Sequence, residues 1–390
     1  MSDFDAIIVG GGPAGAAAGT LMAAQGRSVL LLEKSRFPRE KLCGEFISPE
    51  CRAIFARLGV LDRILAAGSR PIKRMDLLAP DGRRIEVPLT WFAGDATHGL
   101  GLTRARMDAI LLDQARSVGV EVREGFQVSG PLVLHPKERE VNGRTDGGEL
   151  ERFSAGLVID ASGRGRIFSP ETPRADRARL FACKAHIRGI EGPAEVGELY
   201  FFHDGYGGIC EVESDSAGRR SCLCFLTTEE TLRQAKGDRE RLLELTVLSN
   251  PVARSRLRGA VVVDAWLGTG PLSFGRKQNV KGVIAIGDAG AFIDPFTGSG
   301  ILLALTTGEM VADVINRAFD AGVCSPDLIA RRYQKRHRAI FNWRFRAASL
   351  LRRLAFKPAA RKLVVPVIAR HQPLVRLLAL STRRSSVNSA

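Results

Sequence analysis

Two glycine-rich stretches nearly the whole chain apart carry the residues best suited to chemistry. The first runs Gly-Gly-Gly-Pro-Ala-Gly from Gly10 to Gly15 and sets glycines at 10, 12 and 15. That spacing supplies a tight turn, bare backbone that a pyrophosphate can approach, and close contact between a helix and a strand. Gly12, Pro13 and Ala14 fall where the free N–H groups and dipole of a helix start would meet phosphate oxygens. Glu33, followed by Lys34, comes about twenty residues on, where a carboxylate can accept hydrogen bonds from ribose hydroxyls. A negative charge there also disfavours a 2′-phosphate. The second stretch is Gly287-Asp288, then Pro295 to Ile301 with Gly298, Ser299 and Gly300 opening a helix. Asp288 is placed to accept hydrogen bonds from a ribityl chain. The N–H groups of residues 298–300 can stabilise negative charge on a reduced flavin ring. A dinucleotide turn at one end and a ribityl site at the other specify non-covalent FAD.

These residues need strands and helices to hold them, and the pattern supplies both. Ala6–Val9 and Ser28–Leu32 are apolar runs of the kind buried on both faces of a parallel sheet, with an Ala-rich helix over 14–25 closed by Gly26. A helix is expected over 105–117 and a strand at Val120–Val122. A meander follows over 127–158, with turns at Asn142-Gly143 and Asp146–Gly148. A buried strand ends in Asp160 and Gly163. Residues 180–226 alternate with strand period, 228–250 read as helical, 281–288 return to a buried strand, and Ile301 to about Ala318 is a helix. The expected fold class is α/β: a Rossmann-like FAD domain in discontinuous pieces (1–70, 100–175 and 265–325). An antiparallel substrate sheet (71–99 and 176–264) is inserted into it, and a basic helical region (326–390) follows.

Composition narrows the function classes. The chain enters a strand at once, so no secretory leader is expected. No run approaches the roughly 20 apolar residues of a membrane span. Seven cysteines form an odd set without metal-ligand spacing and six histidines are scattered, so no metal site and a reducing, cytoplasmic setting are expected. The net charge of +15 is confined to the tail: residues 331–390 hold 16 Lys/Arg and no Asp or Glu. There the charges are interleaved with Phe341, Trp343, Phe345, Leu350 and Leu351, and Pro358, Pro366 and Pro373 break the tail into short helices after a start at Ser325-Pro326-Asp327. Such helices suit an anionic membrane surface, with peripheral attachment, or an acidic carrier; the other reading is a helical cap with solvated arginines. Nothing offers a nucleic-acid groove.

The motifs resemble those of geranylgeranyl reductases, class A flavin monooxygenases of the p-hydroxybenzoate hydroxylase type, and flavin-dependent halogenases. The resemblance covers roughly residues 4–320. It rests on Gly10-x-Gly12-x-x-Gly15 with Glu33, Phe37 to Glu45 (including Cys43-Gly44), Leu102-Thr-Arg104 before a helix with Asp108, Asp160 to Gly163, and Gly287 to Gly300. It implies that Arg39 and Arg104 contact FAD, that the Asp160 strand serves the nucleotide and a path for transient NAD(P)H, and that Asp288 holds the ribityl chain. The reductase run Tyr-x-Trp-x-Phe-Pro becomes Tyr206-Gly-Gly208-Ile-Cys210 here, with glycine in place of tryptophan, and the halogenase Trp-x-Trp-x-Ile-Pro run is absent. Lys73 reads as an exposed strand-edge residue rather than a halogenase lysine.

The reading is an FAD-dependent oxidoreductase, foremost an NAD(P)H-dependent monooxygenase of a small hydrophobic aromatic or polyketide/lipid-type substrate. The alternatives are a reductase of isoprenoid double bonds and a flavoprotein electron carrier. Candidates for a catalytic base are Glu45, His203 and Tyr206.

Overall fold

In the computed structural model, the residues described are 2–94, 98–129, 132–135, 138–165, 167–168, 179–277, 280–356 and 371–383. Five helices organise the site: α1 (Pro13–Ala23), α2 (Arg104–Ser117), α3 (Gly300–Asp320), α4 (Pro326–Phe356) and α5 (Gln372–Ser381).

The apolar runs at the N-terminus form the centre of a parallel sheet. Strand Phe4–Val9 pairs with Val29–Glu33 on one side and with Leu150–Asp160 on the other, and Glu121–Glu124 and Val283–Ala285 extend the two edges. Ile7, Ile8, Leu30 and Leu31 are fully buried because helices α1, α2 and α3 cover one face while Phe126, Val128 and Val141 cover the other. Leu150–Asp160 begins in an antiparallel meander with Arg139–Thr145 and ends in the parallel sheet. Asn142-Gly143 is not a turn: both residues lie inside strand Arg139–Thr145. Gly143 is small because a Cβ there would strike the Phe126 ring, and the chain reverses instead at 146–149, where Gly148 adopts φ +85°.

A second sheet crosses the first domain. It runs Leu180–Arg188, Gly218–Thr228, Gly205–Asp215, Val196–Phe202, Arg74–Leu78 and Arg84–Pro88 in spatial order. Leu267–Thr269, from the segment expected in the FAD domain, also pairs with Leu180–Arg188 of this sheet. Residues 70–72 and 99–101 belong to neither large sheet; with Phe46–Ile47 they make a small three-stranded sheet at the junction.

Among the described residues, the tail holds one long helix and a short one. Its apolar stripe docks on the body through Ile329, Tyr333, Phe341 and Ala348, all buried beside α3 and the parallel sheet. Pro373 sits in the first turn of α5 rather than breaking a helix; Pro358 and Pro366 lie outside the described residues. No helix among the described residues is long and apolar enough to cross a membrane.

His337 pins α4 among Tyr333, Phe341 and Phe345, with the Arg276 guanidinium 3.4 Å from Nδ1. Burial, then the Arg276 and Arg338 charges, lower its pKa to about 4. The ring is therefore neutral when folded yet takes a proton below about pH 6.5 when unfolded, so the unfolded state binds more protons between those values and stability falls as pH falls. This group should contribute a loss of about 3 kcal/mol between pH 6.5 and 4. Urea unfolding of His337→Phe should show a shallower pH slope than wild type in that window.

Candidate functional site

Most of the expected cofactor residues converge on one cavity of about 870 Å³. The first group is the α1 entrance. Gly10 adopts φ +112° with its Cα against the Ala161 carbonyl, and Gly15 lets α1 sit directly on the Gly10 carbonyl. Both are packing positions. Gly12 is different: a Cβ there would meet nothing nearer than Nη2 of Arg39 at 3.9 Å, in open cavity. Glu33 is buried with Oε2 accepting from Gly11 N–H (2.8 Å) and Oε1 from Ser35 N–H (2.9 Å), which fixes the carboxylate beside Lys34 at the cavity wall.

The opposite end is set by α3. Gly287, Asp288, Pro295, Gly298, Gly300 and Ile301 line the cavity where α3 begins. Gly308 lets α3 pack on the Ala14 carbonyl and Ala17, so the starts of α1 and α3 are held side by side. Burial raises the Asp288 carboxyl above its ordinary value, and Arg164, Arg104 and Lys41 oppose that.

Between the two ends lies a cluster of cations. Thr103 caps α2 by accepting from Arg106 N–H, which aims Arg104 along the first turn to Asp108 at 2.7 and 2.8 Å. Arg39 reaches the same carboxylate at 3.1 Å. Burial and the Arg39 and Arg104 charges lower Lys41 to about 8. A buried lysine pressed by two guanidinium groups is under-neutralised, as expected where an anion belongs. Helix start, open Gly12, under-neutralised cations, ribose carboxylate and Asp288 together fit the pyrophosphate, ribose and ribityl groups of FAD.

Three expected residues do not line the cavity. Gly15 packs beneath it; the Asp160 carboxylate accepts from Ser162 N–H and Oγ (3.0 and 2.5 Å); and Ser299 is buried with its hydroxyl 2.7 Å from Thr297. Gly163, Cys43 and Gly44 do line it.

Of the candidate bases, His203 lies outside: it is 80% exposed at a hairpin turn and pairs with Asp204. Tyr206 lines the cavity, but its hydroxyl donates to Asp294 (2.6 Å) and accepts from Phe296 N–H (2.9 Å). Burial, then Asp294, push its pKa well above the ordinary value, so it braces the 294–296 loop rather than serving as a base. Lys73 is exposed and paired with Glu195, away from the cavity. Glu45 is fully buried at φ +57° and lines the cavity.

Glu45 also meets side chains that the sequence did not suggest. Lys184 Nζ lies 2.6 Å from Oε1 and 2.8 Å from Glu40, His186 Nε2 lies 2.6 Å from Oε2, and Asp264 pairs with His186 Nδ1. One signal was present: Lys184 and His186, two residues apart, share a face of a strand that is apolar from Leu180 to Cys183. Glu45, His186 and Cys222 bring ligand-type atoms within 4.8 Å of one another. The Lys184 ammonium already occupies the carboxylate. Burial also raises the Cys222 thiol well above its ordinary value while it donates to the Cys43 carbonyl, so the group is an ion-pair network.

The family model described as "FAD binding domain" matches residues 3–242. The chain belongs to this family. Among curated proteins it is 26% identical over 342 residues to a digeranylgeranylglycerophospholipid reductase of Methanosarcina mazei, covering 86% of this chain and 80% of that one. It is 23% identical over 350 residues to a 1H-pyrrole-2-carbonyl-[peptidyl-carrier protein] chlorinase of Pseudomonas fluorescens, covering 81% and 78%. Its fold is that of the myxobacterial chondrochloren halogenase CndH, with a TM-score of 0.78 at 23% identity over 97% of this chain and 90% of that chain. This FAD-binding chain is thus an FAD-dependent oxidoreductase whose relatives include reductases and halogenases.

Proposed function

We propose that this FAD-dependent oxidoreductase is an NAD(P)H-dependent monooxygenase that hydroxylates a hydrophobic aromatic or polyketide/lipid-type substrate. The observation that carries the reading is the apolar chamber adjoining the cofactor residues. Leu77, Val87 and Phe92 line it, together with Leu351, Val375 and Leu378 of the C-terminal helices. Gly208, where the reductase pattern has tryptophan, lines the same space, and a Cβ there would lie 3.2 Å from the Glu198 carbonyl. FAD would supply hydride acceptance and oxygen activation. The protein's part is to bind and shield: Arg39, Lys41 and Arg104 hold phosphate charge, the starts of α1 and α3 orient the two halves, and the apolar walls exclude water.

A second reading, reduction of isoprenoid double bonds, is favoured by Cys43-Gly44-Glu45 lining that cavity. Turnover with hydrophobic phenols and prenyl lipids, in air and under argon, separates the two. A phenol should accelerate NAD(P)H oxidation and be consumed only in air; saturation of a prenyl lipid under argon would replace the monooxygenase reading.

The outer face of the tail supports attachment to an anionic membrane surface. Trp343, Leu350 and Leu377 are more than half exposed, and Arg338, Arg346 and Arg353 are exposed beside them on α4. Vesicles containing phosphatidylserine should bind the protein at low salt and release it at high salt, with about 1 kcal/mol lost per arginine replaced by serine. Indifference to such vesicles, with retention on an acidic carrier protein, would move the partner to the carrier.

A further inference from the structure

The wall between the cofactor cavity and a second cavity of about 300 Å³ is crossed by three side chains in sequence. Glu45 lines the first cavity, Asp264 and His186 line the second together with Lys184 and Arg220, and His186 reaches Glu45 from there. Glu45 has no exposed side-chain surface and His186 has 2%, whereas Asp264 retains 31%. Oε1 of Glu45 is filled by two donors, Lys184 Nζ at 2.6 Å and Arg104 N–H at 2.9 Å. Oε2 faces His186 Nε2 at 2.6 Å and is the oxygen with capacity for a proton.

We propose that Glu45, His186 and Asp264 form a proton relay between solvent in the second cavity and the cofactor cavity. The proposal rests on the FAD-dependent oxidoreductase reading, not on the choice between oxygenation and reduction. Hydroxylation converts NAD(P)H, H⁺, O₂ and substrate into NAD(P)⁺, product and water; saturation of a double bond adds the hydride and one H⁺. Each takes one proton from solution. In the relay, Nε2 of the charged ring passes its proton to Oε2 of Glu45, and the ring is left neutral with its Nδ1 proton held toward Asp264. Glu45 then gives its proton to the acceptor in the cavity, and a proton from solvent in the second cavity, which His186 and Asp264 both line, recharges the ring.

The groups facing His186 are Glu45 from the loop before Phe46, Lys184 on its own strand, Arg220 and Cys222 on the neighbouring strand, and Asp264. Burial opposes charging the ring, but the Glu45 and Asp264 carboxylates outweigh it and raise His186 above its ordinary value. Burial likewise works against ionised Glu45, yet His186 and Lys184 hold it below the usual carboxylate range. Both shifts favour the proton on the histidine, one hydrogen bond from the cavity.

Two measurements test this on the FAD-loaded protein. In ¹⁵N-histidine NMR, His186 should titrate above an ordinary histidine, and Asp264→Asn should lower the titration midpoint. In rapid mixing, the photoreduced protein should reoxidise with oxygen at a rate that follows the His186 titration and slows in D₂O. Asp264→Asn and His186→Gln should slow it by about tenfold or more, with added imidazole restoring His186→Gln. Folded, fully yellow variants that reoxidise at the wild-type rate with an unchanged pH profile would overturn the relay and leave an ion-pair anchor. If His186→Gln does not fold, Asp264→Asn at its partly exposed site carries the test. A protein that purified colourless would instead refute the cofactor reading.

Discussion

Gly12→Val should purify folded and colourless, where the wild type is yellow. The three glycines of the turn do different work, and the structure separates them. Gly10 and Gly15 stand against backbone, so a side chain at either displaces a strand or α1 and threatens folding. The Cβ direction of Gly12 opens into the cavity, 3.9 Å from the Arg39 guanidinium, so valine costs the protein little. What it occupies is the place where pyrophosphate must lie against the start of α1. Losing that approach forfeits several charge-assisted hydrogen bonds of about 1.5–3 kcal/mol each, enough to lower FAD affinity by more than a thousandfold. Absorbance at 450 nm against 280 nm, with circular dichroism to show folding, checks both halves. A fully flavinylated Gly12→Val would remove this loop from the cofactor site.

Deleting residues 331–390 should abolish soluble folding rather than yield a soluble body stripped of its tail. Tyr333, Phe341 and Val375 are buried by the very contacts that cover α3 and the cavity, and each contributes about 1.5–3 kcal/mol of apolar burial. Removing them also exposes what they cover, against a total stability of about 5–15 kcal/mol. Ion pairs and hydrogen bonds to the body go with them, among them Arg352 to Asp294 at 3.2 Å, Arg383 to Ser48 at 3.0 Å, and Arg383 to the Thr297 carbonyl at 2.8 Å. Arg352 and the Arg383–Thr297 contact tie the tail to the loop that starts α3, and the Arg383–Ser48 contact ties it to the segment after Phe46–Ile47. Fractionation of the truncated chain should place it in the insoluble material. Soluble, yellow 1–330 protein would mean that the tail is an appendage.

What the sequence made legible was local. Gly10, Gly12, Gly15 and Glu33 could be read because turn, helix and second strand follow one another within a few residues; the Arg104–Asp108 pair came from the structure. The tail showed its charge but not its docking, because an apolar stripe on a helix does not say what it covers. Asn142-Gly143 misled because a turn dipeptide was used inside a strand to admit the Phe126 ring. The Glu45 network was hidden by distance: its members come from a loop, a strand 141 residues later and a segment 78 residues beyond that, joined only by the inserted sheet. His203 and Tyr206 were noticed for their residue types, and it took the hairpin turn and Asp294 to assign their surroundings.

The proposed reaction is tested most directly by the origin of the oxygen in its product. The protein, supplied with NAD(P)H and a hydrophobic phenol that accelerates its oxidation, should be run under ¹⁸O₂ and the product weighed by mass spectrometry. The account predicts a gain of one ¹⁸O atom per product molecule. Product that gains two hydrogens and no label, or forms equally well under argon, would contradict it.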